Sequence, residues 1–400
     1  MARSELTVLY TSVTLLMKIR VGDTIFLESM RETLRHRKIF SFLLLVLLTT
    51  SCGQVSTQVQ KDQPVQALPT PVPTLRSLAK AHGIFIGTTV NVDALQEEKQ
   101  YKEILASEFN MVTPEVSMKF DATEPERGHY TFTKGDTLVT FAKAHNMQVR
   151  GHNLVWYLAL PSWLTTGHFS RDELISILHA HILAEVSHYR GQVNIWDVIN
   201  EAINDDGTLR DSIWLRGIGP DYLDLAFRWA HEANPQARLF YNDDGGEGLS
   251  QKSNAIYNLV AGMIKRGVPI NGVGLEMHVS VDGYPPPRDV LANMKRLAAL
   301  GLEVQITEMD VKIQDDPRPT QIRLAAEAQI YRDMLNTCLA VKQCTAFVMW
   351  GFTDLHSWIP AATGHPDAPL IFDAAYHPKP AFFALLDVLN QNKGRASNHP

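Results

Sequence analysis

Apolar positions between residues 83 and 351 gather into eight short runs, each rich in β-branched and aromatic residues. They are GIFIGTTV (83–90), FNMVTPE (109–115), QVRGHNLVW (148–156), NIWDVINE (194–201), ARLFYND (237–243), GVGLEMHV (272–279), EVQITEMD (303–310) and TAFVMWG (345–351). A run that is apolar on both faces predicts a strand buried on both sides, as parallel sheets require. Stretches between the runs are different. RDELISILHAHILAEVSHYRG (171–191) and SNAIYNLVAGMIKRG (253–267) space their apolar residues by three and four and end on Gly, the pattern of amphipathic helices with C-caps. Eight such strands alternating with helices predict an α/β fold, the (β/α)8 TIM barrel. An open doubly wound sheet is the alternative, weakened because no Gly-rich phosphate loop follows the first strand.

What ends each run is more informative than what fills it. Glu115, His152 with Trp156, Glu201, Asn242 with Asp243, His278, Glu308 with Asp310, and Trp350 all lie at or near carboxyl ends, where barrel enzymes carry their chemistry. One polar strand end is ordinary loop onset, but seven ends out of eight are hard to reconcile with a purely structural barrel. Glu201 in WDVINEA and Glu308 in QITEMD sit among apolar neighbours. Burial raises a carboxyl pKa and hydrogen bonds to the anion lower it, so two differently placed carboxyls can divide into acid and nucleophile. Glycoside hydrolysis needs such a pair. A single buried Glu reads better as a structural ion pair; two on one barrel reverse that preference. Trp156, Trp350 and Trp358 add flat apolar faces of the kind sugar rings stack on, whereas Trp196, inside its run, reads as core.

The N-terminal pattern points to export. RHRK (35–38) precedes the apolar run IFSFLLLVLLTT (39–50) and then SCGQ, the three parts of a signal peptide, which assigns residues 1–52 to an export segment with Met30 as a possible true start. The apolar run is too short to span a membrane comfortably. Cys52 stands where lipoprotein precursors carry the cysteine that becomes lipidated, although Thr49-Thr50-Ser51 before it is a loose match; a membrane lipid anchor and simple release both stay open. Residues 53–75, rich in Gln, Thr and Pro, predict a disordered linker, 391–400 a disordered tail, and 76–390 one domain. A monomer is expected. Net charge of −6 and a pI near 6.2 give no reason to expect nucleic acid as a partner. Cys338 and Cys344 form an even pair in an oxidising compartment, open to a disulfide or to two reduced thiols. No His or Cys cluster surrounds them to suggest a metal.

RGHNLVW, WDVINEAI, GVGLEMH, VQITEMDV, MWGFTDLHSW and HPKPAFFALL resemble, in order and spacing, the successive motifs of glycoside hydrolase family 10, as do MKFDATEPERGHYTF (118–132) and RGVPINGVG (266–274). The resemblance runs from about residue 78 to 389 and implies a retaining endo-1,4-β-xylanase on a (β/α)8 barrel. It implies Glu201 as acid/base, Glu308 as nucleophile, and His278 and Asp310 as the pair orienting that nucleophile. Asn200 would contact the sugar 2-hydroxyl, and Glu115, Lys119, His152, Trp156, Trp350 and Trp358 would line the glycone subsites. It further implies a disulfide between Cys338 and Cys344, xylan or a related β-1,4-glycan as partner, and no metal or organic cofactor.

Departures from the family pattern fall in the cleft. Val116 and Ala159 stand where sugar-binding amides are usual, so the second glycone subsite is expected to be altered; each lost hydrogen bond weakens binding by about 0.5–1.5 kcal/mol. NDDGGEG (242–248) replaces the usual aglycone contact sequence. Glu276 replaces a Gln. Strand alternation would put it on the same face as His278 and near Glu308, so one pKa of the cluster is expected to rise, moving the acidic limb of a pH–rate profile upward. Three rival readings remain: a retaining hydrolase of another β-glycan or a decorated oligosaccharide, a carbohydrate-binding surface lipoprotein without turnover, and a metal-dependent hydrolase using His152, His278 and Asp310.

Overall fold

A computed structural model describes residues 73–391; the export segment, Cys52, most of the linker and all but the first residue of the tail lie outside the described residues. Leu75, assigned to the linker from composition, instead opens a helix (Leu75–Ala81) and is fully buried. Among the described residues, no helix is long and apolar enough to cross a membrane.

The strands are β1 (Phe85–Val90), β2 (Met111–Pro114), β3 (Gln148–Val155), β4 (Ile195–Asn200), β5 (Arg238–Asp243), β6 (Gly272–Leu275), β7 (His278–Ser280), β8 (Glu303–Lys312) and β9 (Cys344–Met349). All pairings are parallel. The order β6-β5-β4-β3-β2-β1-β9-β8 closes on itself because β8 also pairs with β6, which gives a (β/α)8 barrel and excludes the open sheet. The strand predicted at 272–279 is two pieces. Backbone at Met277 turns into the left-handed region (φ 69°), and β7 resumes beyond it, paired with β8 alone.

Helices cover the outside, and their starts are legible. Ser170 caps the helix Arg171–His188 through a reciprocal box with Glu173, and Ser250 caps Gln251–Lys265 with Ser253. Inside the barrel the filling is of two kinds. Met111, Ile195, Phe240, Ala346 and Val348 form an apolar plug. The Arg150 guanidinium lies 4.7 Å from the Phe240 ring and pairs with Asp197 and Gln305, all three residues fully buried. His152 joins that layer through Asp197, with Nδ1 3.1 Å from Oδ2. Arg150 is in register with Ile195, Asp197 with Phe240 and Gln305 with Ala346, so ionic and apolar groups fill the barrel side by side.

Cys338, in the last turn of the helix Thr320–Leu339, and Cys344, first residue of β9, form a disulfide across a separation of six residues. Closing so short a loop stabilises by roughly 2 kcal/mol in the chain-entropy treatment. Replacing both cysteines with Ser is therefore expected to lower Tm by a few degrees without loss of fold, checked by thermal unfolding of the variant and of wild type with and without reductant.

Candidate active site

Glu201 is the first residue beyond β4, and the chain leaves the strand there in the left-handed region (φ 51°). For a residue other than Gly that conformation costs on the order of 1–3 kcal/mol. Two contacts hold it: the Glu201 N–H donates to the Asn242 carbonyl at 2.9 Å, and Arg210 Nε donates to the Glu201 carbonyl at 2.8 Å. The Asn200 amide donates to Glu201 Oε1 at 3.2 Å.

Across the barrel mouth, Glu308 and Asp310 alternate onto one face of β8. The β7–β8 register sets His278 opposite Asp310. His278 Nδ1 lies 2.9 Å from Asp310 Oδ2, and its Nε2 lies 3.4 Å from Glu308 Oε2. Trp358 Nε1 donates to the same Asp310 oxygen at 2.7 Å. Burial works against charge on His278, but Asp310 and Glu308 outweigh it and hold its pKa well above the usual value. The imidazolium so favoured orients one oxygen of Glu308.

Asn242 ties the carboxylates together. Its amide nitrogen lies 2.6 Å from Glu308 Oε1, 3.0 Å from Glu276 Oε1 and 2.9 Å from Asn200 Oδ1. Thr307 Oγ1 donates to its oxygen at 2.7 Å, which fixes the orientation of the amide. Gly274 makes room for it, since a Cβ there would stand 2.0 Å from Asn242 Oδ1. An amide has two hydrogens for these three acceptors, so a proton on Glu276 relieves the shortage. Burial, then the charges of Glu308 and Glu201, push the Glu276 carboxyl well above the usual range. Glu201 is raised to about 7, by burial first and then by Asp244 and Glu308, with Arg210 pulling it back. The expected rise thus falls on Glu276 and Glu201. A raised Glu201 acts on the alkaline limb of a pH profile, not on the acidic limb foreseen from sequence.

Alternation is not what brings Glu276 and His278 together. Glu276 lies in the break between β6 and β7, where its N–H donates to the Asp243 carbonyl and its carbonyl accepts from the Glu308 N–H. Both side chains still reach the cluster, with His278 Nε2 3.9 Å from Glu276 Oε2. Lys119, Trp156 and Trp350 form one wall, the Lys119 ammonium lying 4.8 Å and 5.7 Å from the two ring centroids. Trp350 meets His152 and His278 edge-on, and His152 Nδ1 is 3.7 Å from Glu308 Oε1. Trp358 packs its ring 5.3 Å from that of His278. Glu115 lies just past β2, its pKa raised by burial and drawn back by Lys119. The residues singled out at the strand ends therefore face one cleft. Asp243 is the exception among them: it turns to Tyr241 and Lys252 and away from the cleft.

Two contributors were missed from sequence. Asn242 was noted as a strand end but not as the hub, and Arg210 sits in an irregular loop where nothing in the pattern marks it. Among the described residues, Glu276, His278 and Glu308 are the group whose metal-ligand atoms lie within 4.8 Å of one another. With His278 favoured as imidazolium the ring has no lone pair to give, so the set is poorly suited to an ion. His152, His278 and Asp310 are not gathered as a ligand set.

Comparison with known proteins agrees with this geometry. The profile of glycosyl hydrolase family 10 matches residues 74–388. Endo-1,4-beta-xylanase B of Thermotoga neapolitana is 40% identical over 353 residues, 87% of this chain and 97% of its own. Endo-1,4-beta-xylanase D of Talaromyces funiculosus is 37% identical over 323 residues, 80% of this chain and 78% of its own. The crystal structure of xylanase 10B from Thermotoga petrophila in complex with xylobiose superposes with a TM-score of 0.79 at 40% identity, covering 81% of this chain and 99% of that one.

The raised Glu276 pKa has a consequence for stability. Its folded-state pKa lies above the unfolded value, so between the two the native state binds one more proton, and stability falls as pH rises by about 1.4 kcal/mol per unit. Glu276→Gln removes this dependence. Its Tm advantage over wild type is expected to grow between pH 5 and pH 8; an advantage equal at both would contradict the assignment.

Proposed function

The chain belongs to glycosyl hydrolase family 10 and is a glycoside hydrolase, and from that premise we propose an endo-1,4-β-xylanase that cleaves internal xylosidic bonds with retention of configuration. The observation carrying the mechanism is the division of labour between two carboxyls on one cleft. Glu201 has a pKa near 7 and is protonated below it. Glu308 is faced by the His278 ring and accepts a hydrogen bond from the Asn242 amide, which together hold its carboxyl in place.

In the first step a Glu308 oxygen attacks the anomeric carbon while the glycosidic C–O bond breaks. Glu201 gives its proton to the departing oxygen, leaving a glycosyl-enzyme ester. In the second, Glu201 as carboxylate takes a proton from water, the water oxygen attacks the same carbon, and Glu308 is released. His278 and Asp310 act as positioning groups for Glu308. Asn200, held between Glu201 and Asn242, is placed to meet the 2-hydroxyl of the reacting sugar. Glu115, Lys119, His152, Trp156, Trp350 and Trp358 supply the glycone subsites, with Val116 and Ala159 altering the second.

Export rests on the N-terminal basic and apolar pattern and is supported by the Cys338–Cys344 disulfide, a bond that persists in oxidising compartments. Cys52 is the residue that would carry a lipid anchor.

Glu308→Ala is expected to abolish reducing-sugar release from xylan, with a loss on the order of 10⁴-fold or more, and Glu201→Ala to slow it strongly. Release preserved in Glu308→Ala, or faster cleavage of β-glucan than of xylan by wild type, would overturn the assignment. For wild type, kcat/KM should fall as pH rises through about 7, because the protonated acid is lost there. An NMR time course of the first-formed anomer checks retention.

A further inference from the structure

Arg210 grips the backbone of the loop that carries Glu201. Its Nε donates to the Glu201 carbonyl at 2.8 Å, its Nη2 to the Ile203 carbonyl at 3.4 Å, and its backbone N–H to the Ala202 carbonyl at 2.7 Å. Asp244 lies within electrostatic reach of the guanidinium, yet among the described residues no carboxylate forms an ion pair with it. An aromatic face closes over it instead. The Tyr157 ring centroid stands 4.5 Å from the guanidinium, a cation–π contact. Tyr157 is half-buried just beyond β3 and is itself fixed. Its ring meets that of Trp156 edge-on at 5.8 Å, and the Trp156 carbonyl accepts from Nε1 of buried Trp214 at 2.9 Å. Tyr157, Arg210 and Glu201 line, with Asn200 and Trp156, a pocket of about 10 Å³, room for at most one water. Burial, then the charge of Glu201, raise the Tyr157 pKa, so the phenol stays neutral wherever Glu201 carries its proton.

We propose that Tyr157 is a positioning residue for the acid/base Glu201, acting through Arg210; the inference deepens the xylanase reading and rests on it. Glu201 stands in left-handed backbone, a conformation that persists only where its surroundings hold it. The Asn242 carbonyl holds its N–H, and Arg210 holds its carbonyl. Without the ring, water and Asp244 compete for the guanidinium and the Glu201 carbonyl loses its donor. The acid then meets the departing oxygen in poorer geometry, while Glu308 keeps its contacts with His278 and Asn242. The resulting loss depends on the leaving group. A sugar hydroxyl needs the Glu201 proton as the C–O bond breaks, whereas a dinitrophenolate departs without one.

The test compares xylohexaose with dinitrophenyl β-xylobioside for wild type, Tyr157→Ala, Tyr157→Phe, Arg210→Lys and the Tyr157→Ala/Arg210→Lys double variant. Tm reports folding, and kcat/KM reports the first chemical step. Tyr157→Ala should lower kcat/KM by about fivefold or more on xylohexaose and stay within about twofold of wild type on the dinitrophenyl substrate. Tyr157→Phe keeps the ring face and should match wild type within about twofold on both. The double variant should fall no further than Arg210→Lys alone, because Tyr157 acts through that guanidinium. Equal losses on the two substrates, no loss in Tyr157→Ala, a Tyr157→Phe variant as slow as Tyr157→Ala, or losses that add in the double variant would overturn the proposal. Failure of wild type to cleave xylohexaose would instead overturn the xylanase reading.

Discussion

Three carboxyls, Glu201, Glu276 and Glu308, converge at the carboxyl-end mouth of one barrel, and three ionised carboxylates cannot share that space cheaply. The rest of the site answers this constraint. Asn242 offers its two N–H groups to oxygens on β8 and in the β6–β7 break, and His278 faces Glu308 while Asp310 stabilises its charge. Glu276 and Glu201 respond by holding protons to higher pH than a solvated carboxyl would. The proposed acid and nucleophile roles thus rest on how charge is distributed, not on any difference in residue type.

Support comes from below. Arg150 and His152 are set against Asp197 in the layer beneath, where burial works against the Asp197 anion yet Arg150 and His152 hold its pKa below the usual range. That pairing satisfies buried charges within the barrel and keeps His152 pointed at Glu308. At the rim, Glu201 and Met277 occupy left-handed backbone, and each is held by hydrogen bonds from a neighbouring element: Arg210 and Asn242 for Glu201, the Glu247 carboxylate for the Met277 N–H. Strain placed beside the chemistry, and over-determined by its surroundings, keeps reacting groups in one geometry.

Departures from the family pattern then take on physical meaning. Glu276 keeps an oxygen against Asn242, and a protonated carboxyl can still donate a hydrogen bond, as an amide would. Val116 turns out to solvent and borders a chamber next to Glu115. The departures lie at the edge of the cleft, while the proposed catalytic pair and the groups proposed to orient it match the family pattern.

Much of this could be read from the chain before any coordinates. Eight runs apolar on both faces require a sheet covered by helices, and polar groups at their carboxyl ends mark where an active site must lie, because strand period and barrel closure leave those positions facing one another. Glu201, Glu308, His278 and Asp310 were legible for that reason, and the motif resemblance assigned their roles. What the chain could not disclose was anything set by the approach of distant segments. Asn242 becomes a hub only because Gly274 lets β6 pack against it. Arg210 reaches Glu201 from an irregular loop, and the break at Met277 sends Glu276 to Glu308 by a route alternation does not predict. The carboxyl pKa values, and with them the division between acid and nucleophile, depend on burial and on charges brought near by folding, and those are properties of the tertiary structure alone.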